Sequence, residues 1–323
     1  MAAVAAGAAG AVGTDDERAL IARAQAGDER AFMTLVEPYR RVLEVHAYRM
    51  LGSRHDAEDV VQDTLLRAWR SLERFERRSS LSTWLYRIAT NACLDEIERR
   101  PRRGQPVAVE PFPDGRLAEA ALVAPVADPA ARFAAREGME LALLTAIQRL
   151  PGRQRAVLLL RDVLGWTGPE VAELLDTTVA AVNGALQRAR ATVEDVVPAR
   201  SARDVRRAED RELLAKYVDA WERADIDGLV ALLREDAVLS MPPERSLVGA
   251  AAIRAFWLTG QCGFGGDRIP RRAWANGAPA VAFYEPDGVT PHRLLVLADR
   301  AGDGGLVKMY AYAVEDLGAF VEG

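Results

Sequence analysis

Between residues 101 and 135 the chain carries Pro101, Pro106, Pro111, Pro113, Pro125 and Pro129 among alanines, and this stretch limits the fold more than any other feature. Proline removes a backbone donor and blocks the preceding helical turn, so no helix runs through it and no apolar period persists. The chain therefore reads as separate bodies. Residues 15–100 are nearly continuous helix with breaks at Gly27-Asp28, Gly52-Ser53 and Arg77 to Ser80, and residues 137–196 are helical again. From Glu209 the pattern changes. Helices over about 209–224, 226–234 and 249–259 frame a short strand, Ala237 to Met241. Alternating segments follow around 271–275, 279–285, 292–299 and 305–314, separated by Asn276-Gly277, Pro286-Asp287-Gly288 and Gly302 to Gly305. That is an α+β unit with a curled antiparallel sheet.

The net charge of -5 must be divided before it is used. Residues 1–207 hold 30 Lys+Arg against 29 Asp+Glu, and residues 208–323 hold 12 against 18. The acidity sits in the last third, and the balanced first part can bind DNA if its arginines share a face. Cys93 and Cys262 fall in different bodies, which gives neither a disulfide framework nor a clustered metal site, and a reducing cytoplasm suits them. No stretch is long and apolar enough for a membrane span, and the Ala/Gly-rich start reads as a disordered tail over 1–14.

In HDAEDVVQDTLLRAWRSL (His55 to Leu72), Ala57, Val61, Thr64, Leu65, Ala68 and Leu72 form the buried stripe of a helix. Asp56 opens this helix, and Asp59, Gln62, Asp63, Leu66 and Arg70 occupy the opposite face. That face is either a solvated acidic surface or a docking surface with Leu66 as anchor. The sequence HDAEDVVQDTLLRAW resembles region 2.2 of sigma-70-type factors, with Ala19 to Arg49 similar to the helices before it. The resemblance implies docking on the β′ clamp helices of core RNA polymerase, with the β subunit a further partner.

After Phe75, a Ser/Arg loop leads into LSTWLYRIATNACLDEI, where Ser80 or Ser82 can cap the helix. Leu81, Trp84, Leu85, Ile88, Ala89 and Ala92 read as its core side. Thr83, Tyr86, Arg87 and Thr90 read as the outward side. A serine- and arginine-bearing helix N-terminus can hold phosphates. The segment resembles sigma regions 2.3 and 2.4, which implies -10 element contacts from Arg74, Arg77, Arg78, Ser79 and Ser80 in the loop, and from Tyr86, Arg87, Thr90 and Asn91 on the helix.

Residues 153–192 carry a helix-turn-helix pattern. Pro169 suits a first turn, Val171, Ala172, Leu174 and Leu175 an apolar side, and Asp176-Thr177-Thr178 a turn that caps the next helix. Val179, Val182, Leu186 and Val193 then point inward, and Ala180, Ala181, Gly184, Gln187 and Arg188 outward. Arg153, Arg155 and Arg190 are candidates for DNA backbone contacts. The stretch resembles sigma region 4, which implies -35 recognition. It departs from the commoner pattern in its small outward residues, which shifts weight to arginines and DNA shape.

Residues 209–323 resemble the SnoaL-like branch of the NTF2-like fold, a cone of curved sheet and helices around a pocket. Pocket candidates are Trp221, Met241, Phe256, Trp257, Trp274, Asn276, Phe283, His292, Tyr310 and Tyr312, each of which also suits plain core packing. Asp236 and His292 are the possible acid–base groups, without a partner at catalytic spacing. The whole chain is identified as a member of the extracytoplasmic-function sigma factors carrying this extension. The expected organisation is multidomain: a tail (1–14), all-α sigma region 2 (15–100), a Pro/Ala linker (101–136), all-α sigma region 4 (137–197), a short connection (198–208) and an α+β NTF2-like/SnoaL-like cone (209–323). The expected protein is a cytoplasmic transcription initiation factor with no cofactor, no catalytic residue and no metal, whose acidic C-terminal domain modulates activity through intramolecular contact with the sigma domains. The competing reading is a DNA-binding regulator fused to a small-molecule pocket enzyme.

Overall fold

The computed structural model describes residues 14–99, 109–116, 141–194, 203–242, 245–260, 264, 268–302 and 304–321. The expected tail over 1–13, most of the proline-rich stretch and Cys262 lie outside the described residues. The chain divides into two compact units.

The first unit contains α1 (Thr14–Gln25), α2 (Glu29–Leu51), α3 (Arg54–Ser71), α4 (Leu81–Arg99), the end of α5 (Leu141–Gln148), α6 (Gly152–Leu158), α7 (Gly168–Leu174) and most of α8 (Val179–Glu194). Its helix boundaries are set by local chemistry. Asp28 caps α2 by accepting from the Ala31 amide at 3.0 Å, and Ser53 caps α3 by accepting from the Asp56 amide at 3.3 Å. Gly52 ends α2 with φ 74, a left-handed value that favours glycine. A Cβ on Gly52 would also come within 2.9 Å of the Gln148 side chain. Helices α2, α3 and α4 enclose a core that includes Leu43, Met50, Leu51, Val61, Ala68, Leu85 and Ala89.

Helix α6 joins this core. Gly152 lies where a Cβ would meet Ile97 of α4 at 3.2 Å. Arg155 is 6% exposed. Its Nε donates to Ile147 O at 3.1 Å, and its terminal nitrogens donate to Gln148 O, Leu150 O, Gln148 Oε1 and Met50 O. These acceptors include last-turn carbonyls of α2 and α5, which lack helical partners, and one guanidinium ties both ends together.

In the second unit, α9 (Arg203–Glu222), α10 (Ile226–Ala231) and α11 (Ala250–Leu258) accompany a six-stranded sheet. Its strands are β1 (Leu233–Met241), β2 (Arg245–Val248), β3 (Ile269–Ala275), β4 (Ala278–Tyr284), β5 (Pro291–Arg300) and β6 (Leu306–Tyr312), in the order β2-β1-β6-β5-β4-β3. The sheet is mixed, not wholly antiparallel, because β1 and β6 pair in parallel with Leu239 opposite Met309. The short β2 has no alternation long enough to read in sequence. Helix α9 also reaches back to Arg203, into the expected connection.

Leu214, Tyr217, Trp221, Ile253, Trp257, Phe283, Leu297 and Met309 pack on one face of the sheet. Ala275, Ala282, Tyr284, Leu294, Val296, Tyr312, Leu317 and Phe320 pack on the other. Residues 109–116, expected to be linker, belong to this unit. Pro113 bridges Ala275, Phe112 is 1% exposed, and the Phe112 amide donates to Asn276 Oδ1 at 2.8 Å. The Asn276 amide returns a bond to Phe112 O at 3.0 Å, and Asp114 accepts from the Gly277 amide at 2.7 Å. The Asn276-Gly277 turn has positive φ at both residues, as a two-residue hairpin of this type requires.

Candidate nucleic-acid and partner interface

Helix α3 has two faces. Ala57, Val60, Val61, Thr64 and Ala68 are buried, whereas Asp59, Gln62 and Arg70 are exposed, and Leu66 is 55% exposed. Asp56 is half-buried beside the Ser53 cap. Asp63 pairs with Arg67 at 2.8 Å, and Arg67 reaches Asp95 of α4 at 2.8 Å. The two carboxylates hold the Arg67 guanidinium above its ordinary range. A cleft of about 720 Å³ beside this face is lined by Asp56, Asp59, Asp63, Asp95, Glu96 and Glu98, with Arg67 and Arg99. The arrangement is an apolar anchor set in an acidic field, suited to a basic partner.

The loop before α4 is fixed from below. Gln25 Nε2 donates to Leu72 O at 3.0 Å and Phe75 O at 3.2 Å, and Phe75 stacks on Trp84 with centroids 4.8 Å apart. Arg77 has φ 59, and Arg78 pairs with Glu76 at 2.6 Å. Arg74 and Arg77 are exposed and make no ion pair among the described residues. Ser80, not Ser82, caps α4, accepting from the Thr83 amide at 3.1 Å.

Two helix candidates face the wrong way for DNA. Tyr86 is 2% exposed with its ring edge-on to His46, and Thr90 is fully buried with its Oγ1 3.0 Å from His46 Nε2. Helix α4 packs against α2 as well as α3, so its buried stripe is wider than one row of apolar residues suggests. His46 is the residue that sequence reasoning missed, since only packing makes it a partner. Its burial, aided by Arg49, pushes its pKa down to about 3. Trp84 and Ile88 are half-buried, and Asn91 is exposed. Arg87 is half-buried and pairs with Glu173 of α7 at 2.8 Å.

The helix-turn-helix is built as its turn chemistry implies. Thr167 and Glu170 form a reciprocal capping box across Pro169, and Thr178 caps α8 by accepting from the Ala181 amide at 3.2 Å. Val182, Leu186 and Ala189 are buried, and Ala180, Ala181, Gln187 and Arg188 are exposed, with Gly184 half-buried. Val179 was expected to point inward but is 40% exposed. It lies over Gly168 at the start of α7, where a glycine Cβ would meet it at 3.2 Å. Arg153 is exposed. Arg155, expected to meet DNA, is instead buried with its guanidinium turned inward onto Ile147 O, Gln148 O, Leu150 O and Met50 O. Arg190 is exposed but forked onto Asp162, at 2.9 and 2.6 Å.

The pocket candidates divide between the two faces of the sheet. Trp221, Trp257 and Phe283 lie in the core on the helix-covered face, with Met241 and Phe256 packed against it. Tyr312 and Tyr310 belong to the opposite face and stack on each other at 6.0 Å. Trp274, between Ala273 and Ala275, alternates to the side away from them. Asn276 is fully buried in its bonds to Phe112. His292 Nδ1 lies 3.1 Å from Glu285, which also pairs with Arg268, and burial followed by the Arg268 charge lowers its pKa. Asp236 is exposed and paired with Arg234 at 3.1 Å, so it is not an interior acid or base.

Residues 35–103 match the family model of Sigma-70 region 2, residues 140–193 that of Sigma-70, region 4, and residues 214–307 that of the SnoaL-like domain. The ECF RNA polymerase sigma factor SigG of Mycobacterium tuberculosis is 44% identical over 299 residues, covering 85% of this chain and 80% of that protein. SigW of Bacillus subtilis, another ECF sigma factor, is 30% identical over 183 residues, 53% of this chain and 90% of SigW. The crystal structure of the Mycobacterium tuberculosis extracytoplasmic function sigma factor SigJ superposes with a TM-score of 0.58 at 24% identity, covering 85% of this chain and 94% of that one. With its region 2 helices, its helix-turn-helix and its SnoaL-like sheet, the chain belongs to the extracytoplasmic-function family of RNA polymerase sigma factors, which are transcription initiation factors and not enzymes.

Proposed function

We propose that α3 docks on the β′ clamp helices of core RNA polymerase through Leu66, framed by Asp56, Asp59, Gln62, Asp63 and Arg70. The supporting observation is the exposure of Leu66 at 55% on a helix whose other apolar residues build the core. Arg74, Arg77, Arg78, Ser79 and Ser80, with Arg87 and Asn91 of α4, engage the -10 element as it opens. Arg87 then exchanges the Glu173 carboxylate for a DNA phosphate, one ion pair for another. Helix α8 enters the -35 major groove with Thr178, Ala180, Ala181, Gly184, Gln187 and Arg188, while Arg153 and Arg190 meet phosphates. Region 2 spans 15–100, region 4 spans 137–197 and the C-terminal domain spans 209–323. That last domain modulates initiation from the cytoplasm without chemistry of its own.

The test is direct titration of core polymerase with full-length protein. Leu66→Asp and Asp63→Arg are expected to weaken binding at least 30-fold, corresponding to about 2 kcal/mol for a central anchor, while circular dichroism stays that of wild type. Unchanged affinity in both variants sinks the docking assignment.

A further inference from the structure

The outward surface of α8 is not uniform. Val182, Leu186 and Ala189 face the core, and at about 100° per residue Ala180, Gly184 and Ala191 run along the opposite side as a strip of minimal width. The strip has two unlike flanks. Arg188 lies on one, with a terminal nitrogen 3.4 Å from where a Gly184 Cβ would stand, so the missing side chain leaves the guanidinium room to lie against the helix. On the other flank Asn183 and Gln187 sit one turn apart, both exposed, and neither side chain forms a hydrogen bond among the described residues. Several neighbouring polar groups are committed instead: Arg190 to Asp162, Arg87 to Glu173, and Thr167 to Glu170.

A carboxamide carries one donor edge and one acceptor edge. In the major groove only adenine presents the complement, N6–H beside N7, and a bidentate amide discriminates on that basis. Guanine presents two acceptors there, which suits arginine. Because the strip between the flanks holds only small residues, the helix can approach the base edges closely enough for short side chains such as asparagine to reach them. Along α8 a spacing of four residues is about 6 Å, so two such amides address bases within about two base-pair steps.

We infer that Asn183 and Gln187 are the adenine-reading residues of α8, each specifying one adenine in the -35 element, with Arg188 on the other flank holding phosphate or guanine. This rests on the reading that α8 occupies the -35 major groove. Asn183 is the new member: it stands one turn beyond Val179 on the flank that borders α7, with its Oδ1 3.9 Å from where a Gly168 Cβ would stand, and it remains exposed.

The experiment uses holoenzyme assembled from the full-length chain and core polymerase. Binding is measured on promoter fragments carrying each base at every -35 position, and on fragments with 7-deazaadenine, in which N7 is replaced by carbon. Wild type is expected to prefer adenine about 10-fold at two positions within a few steps and to lose that preference with 7-deazaadenine. Asn183→Ala is expected to flatten the preference at one of these positions and Gln187→Ala at the other, each becoming indifferent to 7-deazaadenine there. Adenine preferences that survive both substitutions, or no adenine preference in wild type, overturn the inference. Arg188→Ala separates this from the underlying reading. If it lowers affinity on all fragments and shallows the salt dependence, region 4 is on the DNA whatever the amides do. If neither Arg188→Ala nor replacement of the whole -35 duplex changes binding, the groove assignment itself fails and this inference with it.

Discussion

Arg155→Ala distinguishes a structural arginine from a DNA-binding one. The guanidinium serves four backbone carbonyls and the Gln148 amide oxygen, at the point where the ends of α2 and α5 meet α6. A single hydrogen bond to a charged group contributes about 1.5–3 kcal/mol, and removing a buried charged partner typically costs about 3–5 kcal/mol because the remaining groups stay desolvated. The site is 6% exposed, so water replaces the lost donors poorly. A destabilisation of about 3–5 kcal/mol is therefore expected for the first unit. Arg155→Lys keeps the charge, loses the fork, and falls between the two. Urea denaturation followed by tryptophan fluorescence reads the effect. At about 1–3 kcal/mol per molar, the transition of the first unit should move by at least about 1 M, and the second unit's transition must be fitted separately. The reasoning is refuted if Arg155→Ala unfolds at the wild-type urea concentration and instead lowers the salt slope of promoter binding by about one, the signature of a lost phosphate contact.

Arg77→Gly removes the loop charge while keeping a residue suited to φ 59. Permanganate reactivity of the -10 region should fall while duplex binding is largely retained, and an unchanged footprint excludes Arg77 from melting. His46 titrates near 3 when folded and near 6.5 when unfolded, so its stabilising effect is complete above about pH 6.5 and is lost as pH falls towards 3. About 2 kcal/mol should disappear between pH 7 and pH 5, and His46→Gln should flatten that slope in a denaturation series. Deleting residues 209–323 should change run-off transcription while core binding persists, and Asp236→Asn or His292→Gln should do less. Identical output from deleted and full-length protein across promoters and salt contradicts a modulating role.

The helical elements were legible because their signals are local. Asp28, Ser53, Ser80, Thr167 and Thr178 are caps within one turn of what they hold, and the α3 stripe repeats over a long helix. The misreadings share a different cause. Tyr86, Thr90 and Arg155 carry polar atoms, and a polar atom on a helix reads as outward unless its partner is known. Those partners, His46 and Met50 O, stand 44 and 105 residues away in sequence from Thr90 and Arg155. The same distance hid the parallel pairing of β1 with β6, since strand alternation reports which face a residue occupies but not which neighbour it meets.

The segment around Phe112 carries this point further. Its prolines correctly exclude a helix, yet exclusion of a helix does not make a linker. Proline is tolerated at a sheet edge, and Pro113 bridges β3, the edge strand of its sheet. What holds the segment is Asn276, whose left-handed φ and adjacent glycine mark a hairpin turn in any sequence. The turn was therefore readable from two residues, whereas its second use, closing hydrogen bonds on both sides of Phe112, depends on a segment 164 positions earlier in the chain. The stretch that most firmly separates the two helical bodies in sequence thus supplies a buried aromatic to the C-terminal unit. A substitution at Phe112 is accordingly a perturbation of the SnoaL-like domain, although the family models place it in neither region 4 nor that domain.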